Sequence, residues 1–147
     1  MKVAISTLVI LIIALFSYVQ FSGIRDIKDP GLANAVRTHL LDEHREHATT
    51  RLNQSLEQAA IGNLINNAAD LLTTRISVLK MEKSQIIASG NNASNVIVHV
   101  IYFLENTSET AQKYEAYLKL SQTASQDWIY HHRSTAVDFY LNFVGFE

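Results

Sequence analysis

Three histidines and three carboxylates gather between residues 39 and 47, in the stretch HLLDEHREH. On a helix, His44 and His47 share one face, and Glu43 lies four residues before His47. Imidazole and carboxylate groups placed together can bind a transition metal. However, the spacing matches neither the HExxH motif of metalloproteases nor the ExxH motif of carboxylate-bridged bundles. We therefore expect a solvated helix face, and we keep Glu43, His44 and His47 as the alternative, a metal-binding set within His39–His47.

A second group of reactive side chains lies near the C-terminus. Trp128, Tyr130 and His132 alternate along a predicted strand, so they share one face and could line a ligand pocket between helix and sheet. Simple aromatic packing is the competing explanation. His131 points to the opposite face of the same strand. His99 alternates with apolar neighbours, and we expect it to be a hydrogen-bonded core residue.

Composition excludes several classes of function. The 147 residues contain no cysteine, which removes disulfides, thiolate zinc sites and cysteine nucleophiles. A net charge of −2 offers no basic surface for nucleic acid. No nucleophile elbow, phosphate-binding loop or dinucleotide glycine pattern is present. We therefore expect a protein that binds rather than catalyses, with no cofactor.

The first apolar run, Val3–Phe21, is uncharged and nineteen residues long. As a helix it would extend roughly 28 Å, close to the thickness of a bilayer core. No pair of small residues suited to signal cleavage follows it, so we expect a retained signal-anchor, a single-pass transmembrane helix within residues 1–23. Residues 24–30 then form a short linker to an α+β domain over residues 31–147. The export-like N-terminus favours an extracytoplasmic (periplasmic) position for this domain over a cytosolic one.

Two periodicities divide the domain. Asp29 and Pro30 signal a helix start, and helical spacing continues to about residue 74 with a weak point at Gly62. One amphipathic stripe, expected to pack on a sheet, comprises Ile61, Leu64, Ile65, Ala68, Leu71 and Leu72. Strand-like segments follow over residues 75–89, 95–104, 113–121, 128–133 and 137–144.

The sequence therefore predicts one or two amphipathic helices on a four-stranded, possibly five-stranded, antiparallel meander. The functional hypothesis is a membrane-anchored binding or accessory module of a membrane-associated complex. Its partners would be the lipid bilayer, through residues 3–21, and another membrane protein or a second copy. The alternatives are a small-ligand-binding or enzymatic domain with a pocket between helix and curved sheet, and a metal-binding domain.

Overall fold

The computed structural model describes residues 7, 10–14, 24–58, 61–89, 92–105 and 112–144. The chain divides into two compact units. The terminal unit comprises residues 1–27, 85–99 and 117–147, and the helical unit comprises residues 28–84 and 100–116.

Within the described ranges, five strands form one antiparallel sheet, and their order in the sheet follows their order in the chain. They are β1 (Arg25–Asp26), β2 (Val78–Ser89), β3 (Asn92–Glu105), β4 (Lys113–Gln122) and β5 (Trp128–Arg133). The predicted α+β class and antiparallel meander are confirmed. One of the five strands, β1, lies in the segment expected to be a linker, where Arg25 pairs with Ile86 of β2. A two-residue strand is too short to show an alternating pattern, so only its pairing reveals it.

Two helices, α1 (Pro30–Glu57) and α2 (Ile61–Ile76), pack on each other in the helical unit. The Gly31 N–H donates to Asp29 Oδ1 at 2.8 Å, with Pro30 in the first turn, as the sequence predicts. The buried apolar side of α1 contains Leu32, Val36, Leu40 and Ala48. The weak point predicted at Gly62 is confirmed as a division into two helices, because α1 ends at Glu57 and α2 begins at Ile61, one residue before Gly62.

The terminal unit has a core of Ile87, Ile97 and Phe139, with Ile24 and Tyr117 packed against it. His99 is buried beside this core, where its ring stacks on Tyr117 with centroids 4.5 Å apart. His99 is therefore a core residue, as its apolar neighbours predict.

The predicted strand over residues 137–144 is wrong, because Ala136–Val144 forms a helix, α3. Thr135 caps it: its Oγ1 accepts a hydrogen bond from the Asp138 N–H at 3.0 Å. Phe139 is fully buried, whereas Val137 and Leu141 are 64% and 45% exposed. A strand would bury all three side chains together, so the alternation of apolar residues here reflects no sheet face.

None of the helices in the described ranges combines the length and the hydropathy that a membrane span requires. The predicted transmembrane segment, residues 3–21, lies largely outside the described residues. Within it, residues 7 and 10–14 are helical, and the side chains of Ile10 through Ile13 are each more than half exposed.

Candidate functional site

A polar cavity of about 200 Å³ opens in the helical unit. Both helices and strand β4 contribute to its walls, as does the turn that follows α2. Its polar lining includes Arg51 from α1, Asp70 and Thr74 from α2, Ser77 and Tyr114. Since these residues are far apart in the chain, only the packing of α1 and α2 beside the strands brings them together.

An ion pair joins the two helices at this cavity. Arg51 Nη2 lies 2.6 Å from Asp70 Oδ2. This one oxygen atom is buried, and no donor in the described part of the chain is aligned to form a hydrogen bond with it. Nearby, the Asn67 amide donates to the backbone oxygen of Arg51 at 3.2 Å and to Ser55 Oγ at 2.6 Å. The Arg51 and Asp70 side chains are about half exposed, so solvent weakens their attraction, and the contact fixes position more than it adds stability.

Three of the four hydroxyl groups that line the cavity, those of residues other than Thr73, donate their protons to the protein. Thr74 Oγ1 donates to the backbone oxygen of Asp70 at 2.8 Å, and Ser77 Oγ donates to that of Thr73 at 2.7 Å. Tyr114 Oη donates to Gln112 Oε1 at 3.1 Å. A hydroxyl has one proton and two lone pairs, so each of these oxygens can offer the cavity only an acceptor.

Aromatic contacts hold two of the residues that line the cavity, His44 and Tyr114. The His44 ring lies edge-on to Tyr114, with centroids 4.7 Å apart, and His44 Nε2 is hydrogen-bonded to Tyr102 Oη at 2.9 Å. The rings of Tyr102 and Tyr114 stack at 5.5 Å. Because Tyr102 is buried, this cluster holds His44 and Tyr114 in place.

A second feature of the helical unit is an apolar face of α2 that points to solvent. Its four large side chains are 66% to 73% exposed: Ile61, Ile65, Leu72 and Ile76. The stripe predicted to pack on a sheet is therefore divided. Leu64, Ala68 and Leu71 are half-buried, while three of its members, Ile61, Ile65 and Leu72, point outward. Thr74 is the only buried residue of α2. It lies on the polar side of the helix, which lines the cavity.

The structure separates the predicted metal set. His47 Nε2 lies 3.7 Å from Glu43 Oε1, and the His47 side chain is 72% exposed. His44 instead turns towards Tyr102 and the cavity. Among the described residues, no three histidine or carboxylate side chains converge on a common point. Glu43 and His47 thus form a surface pair, and His44 belongs to a different site.

A bulge in β5 separates the predicted aromatic set. The register pairs Tyr130 with Leu120 and His132 with Lys119, so one extra residue, His131, lies between them. Side chains of paired residues point to the same side, and Leu120 and Lys119 are consecutive in β4. Trp128 and Tyr130 therefore share a face, while His132 lies on the opposite face. The expectation that all three share a face is wrong, because strict alternation ends at the bulge.

Sequence reasoning missed Arg51, Asp70 and Tyr114 as site residues. Each lies in an unremarkable local context, and their separations of 19 and 44 positions match no motif. The helical stripe around Leu71 predicts the amphipathic helix but not which polar residues lie beside a cavity.

No protein family, no curated protein and no solved structure matches this chain.

Proposed function

We propose that this chain is a membrane-tethered binding module whose exposed α2 face pairs with the same face of a second copy. The observation that carries the proposal is the row of four large aliphatic side chains on α2, each about two-thirds exposed. At roughly 100° per residue they fall within about 60° of one another around the helix. A continuous apolar face of this kind is typical of an interaction surface.

The spacing of the face favours a second copy as its occupant. Ile61 and Ile76 are equidistant from a point between Ala68 and Ala69, and so are Ile65 and Leu72. Two antiparallel copies of α2 would therefore place Ile61 against Ile76 and Ile65 against Leu72. The small Ala69, which is also exposed, would lie where the helices cross closely. A twofold interface requires such a self-complementary surface, whereas an unrelated partner does not.

The size of the face accounts for the tether. Full burial of a large aliphatic side chain hides on the order of 100 Å², so these residues would remove roughly 500 Å² from water in two copies together. Stable interfaces bury about 1,000 Å² or more. Anchoring through residues 3–21 would confine both copies to one bilayer and raise their effective concentration. The membrane anchor would therefore allow pairing through an apolar face that is too small to hold two free copies together.

Cysteine cross-linking tests the pairing directly, because the natural chain contains no cysteine. In vesicles carrying the full-length chain, Ala69→Cys should form a disulfide-linked dimer under mild oxidation, since Ala69 lies beside the proposed twofold axis. Adding Ile65→Asp should abolish this dimer. The matched control is Asn66→Cys, which is exposed on another side of α2 and should stay monomeric. A chain with Ala69→Cys that stays monomeric, or that links instead to a different protein in native membranes, would overturn self-pairing.

The tether has its own test. Leu11→Arg together with Ile12→Arg should release the chain from membranes, since each central arginine costs about 2.5–3.5 kcal/mol on insertion scales. Arg25→Ala is the control and should remain bound. The mature N-terminus should retain Met1 or Lys2, and a chain beginning after Phe21 would contradict the anchor. For an extracytoplasmic domain, Ser125→Cys should react with an impermeant maleimide in intact cells.

A further inference from the structure

We infer that the polar cavity of the helical unit binds a small neutral molecule that carries several hydroxyl groups. The cavity volume of about 200 Å³ lies below the range of about 300–1,000 Å³ typical of drug-sized ligands. A polyol or a single sugar ring is the class of molecule that suits this size and a mainly polar lining. The site is separate from the apolar face of α2, so it does not depend on self-pairing.

Charge favours a neutral ligand. Among the described residues that line the cavity, Arg51 is the one permanent cation and Asp70 the one carboxylate, and their side chains contact each other at 2.6 Å. Arg51 repels a cationic ligand and Asp70 repels an anionic one. Each of the two residues also already has a partner of opposite charge. A ligand with a full charge would have to break this ion pair, whereas a neutral ligand can bind to the exposed side of the pair without breaking it.

Hydrogen-bonding capacity favours hydroxyl groups in the ligand. The oxygens of Thr74, Ser77 and Tyr114 offer acceptors, because their protons are already used within the protein. The Gln112 amide offers N–H donors, since its oxygen accepts from Tyr114. An ammonium group only donates and a carboxylate only accepts, whereas a hydroxyl does both. A ligand with several hydroxyl groups can therefore pair with both the acceptors and the donors of the cavity wall.

The wall is also pre-organised, which lowers the entropic cost of binding. Thr74 and Ser77 are buried, and their hydroxyls are held by bonds to the backbone one helical turn earlier. The Tyr114 ring is held by contacts with His44 and Tyr102. It can therefore serve as a flat surface for the C–H face of a sugar ring.

Ligand-detected NMR on the full-length chain in detergent micelles tests the inference, with glycerol and D-glucose as probes. We expect saturable binding of at least one of them, and no saturable binding of acetate or ammonium. Tyr114→Phe and Thr74→Val each remove one acceptor while keeping the side-chain shape. Each should weaken binding roughly three- to tenfold, the equivalent of one hydrogen bond.

Thr50→Val is the matched control, because Thr50 is exposed on α1 and does not line the cavity. It should leave binding unchanged. Circular dichroism identifies any variant that fails to fold, and Tyr114→Phe, which keeps the ring contacts, then decides the test. Absence of saturable binding by both polyols would overturn the inference. Equal binding of acetate or ammonium would overturn it too, as would equal effects of Tyr114→Phe and Thr50→Val.

Discussion

The imidazole Nε2 of His44 lies 2.9 Å from the hydroxyl oxygen of Tyr102, a residue 58 positions further along the chain. This hydrogen bond joins α1 to β3 within the helical unit. Tyr102 is fully buried, so the contact turns His44 inward and away from its neighbours Glu43 and His47. A segment that reads as one cluster of histidines therefore contains residues with two different roles.

His44→Ala should destabilise the protein by about 1–3 kcal/mol, because it removes a ring contact and leaves the buried Tyr102 hydroxyl without this partner. His47→Ala should change stability by less than about 0.5 kcal/mol, since that side chain is mostly exposed. Urea unfolding of the full-length chain in detergent, followed by circular dichroism, measures both. Equal tolerance of the two changes would show that the His44 contact is unimportant.

Phe139→Ala should cost about 3–5 kcal/mol, because it empties the centre of the Ile87 and Ile97 core. Val137→Ala, two residues earlier in α3, should be nearly neutral because Val137 is exposed. The same unfolding experiment compares them. If Val137→Ala cost as much as Phe139→Ala, the segment would behave as a strand with both residues in the core.

Thr135→Ala should destabilise the protein by about 0.5–2 kcal/mol, since it removes the acceptor for the Asp138 N–H at the start of α3. Ser134→Ala is the control, because the Ser134 hydroxyl contacts Asp138 Oδ2 at 3.4 Å, a longer and weaker contact than the one made by Thr135. Thermal melting of both variants distinguishes them. A larger effect at Ser134 would place the cap one residue earlier.

Gly62→Ala should stabilise the protein by about 0.5–1 kcal/mol, because glycine is a poor helix former and, apart from the adjoining backbone of α2 itself, no atom of the described residues lies within 4 Å of an added Cβ. Asn63→Ala, also exposed, gives the scale of an ordinary helix-propensity gain at the next position. Thermal melting is again the measurement. A loss of stability in Gly62→Ala would mean that this glycine has a conformation or a contact that an alanine cannot adopt.

The sequence by itself determined the features that depend on neighbours in the chain. Asp29 and Pro30 start α1 because a side-chain acceptor and a fixed φ act within one turn. The burial of both faces of β3 follows from its apolar run, which only His99 interrupts and in which every residue from Val96 to Val100 is buried. Periodicity likewise predicted an antiparallel meander after helices, because hydrophobic spacing depends on local backbone geometry.

Only the tertiary structure decided the features that depend on distant residues. The apolar residues of Val137–Val144 fit either the helical or the strand period, and the structure shows a helix that buries Phe139 against Ile87 and Ile97. The bulge at His131 arises from pairing with β4, which no spacing within β5 records. The apolar residues of α2 exceed what its contact with α1 can cover, so packing decides which of them stay exposed. The cavity likewise exists only because Arg51, Asp70 and Tyr114, remote in sequence, meet when the elements pack.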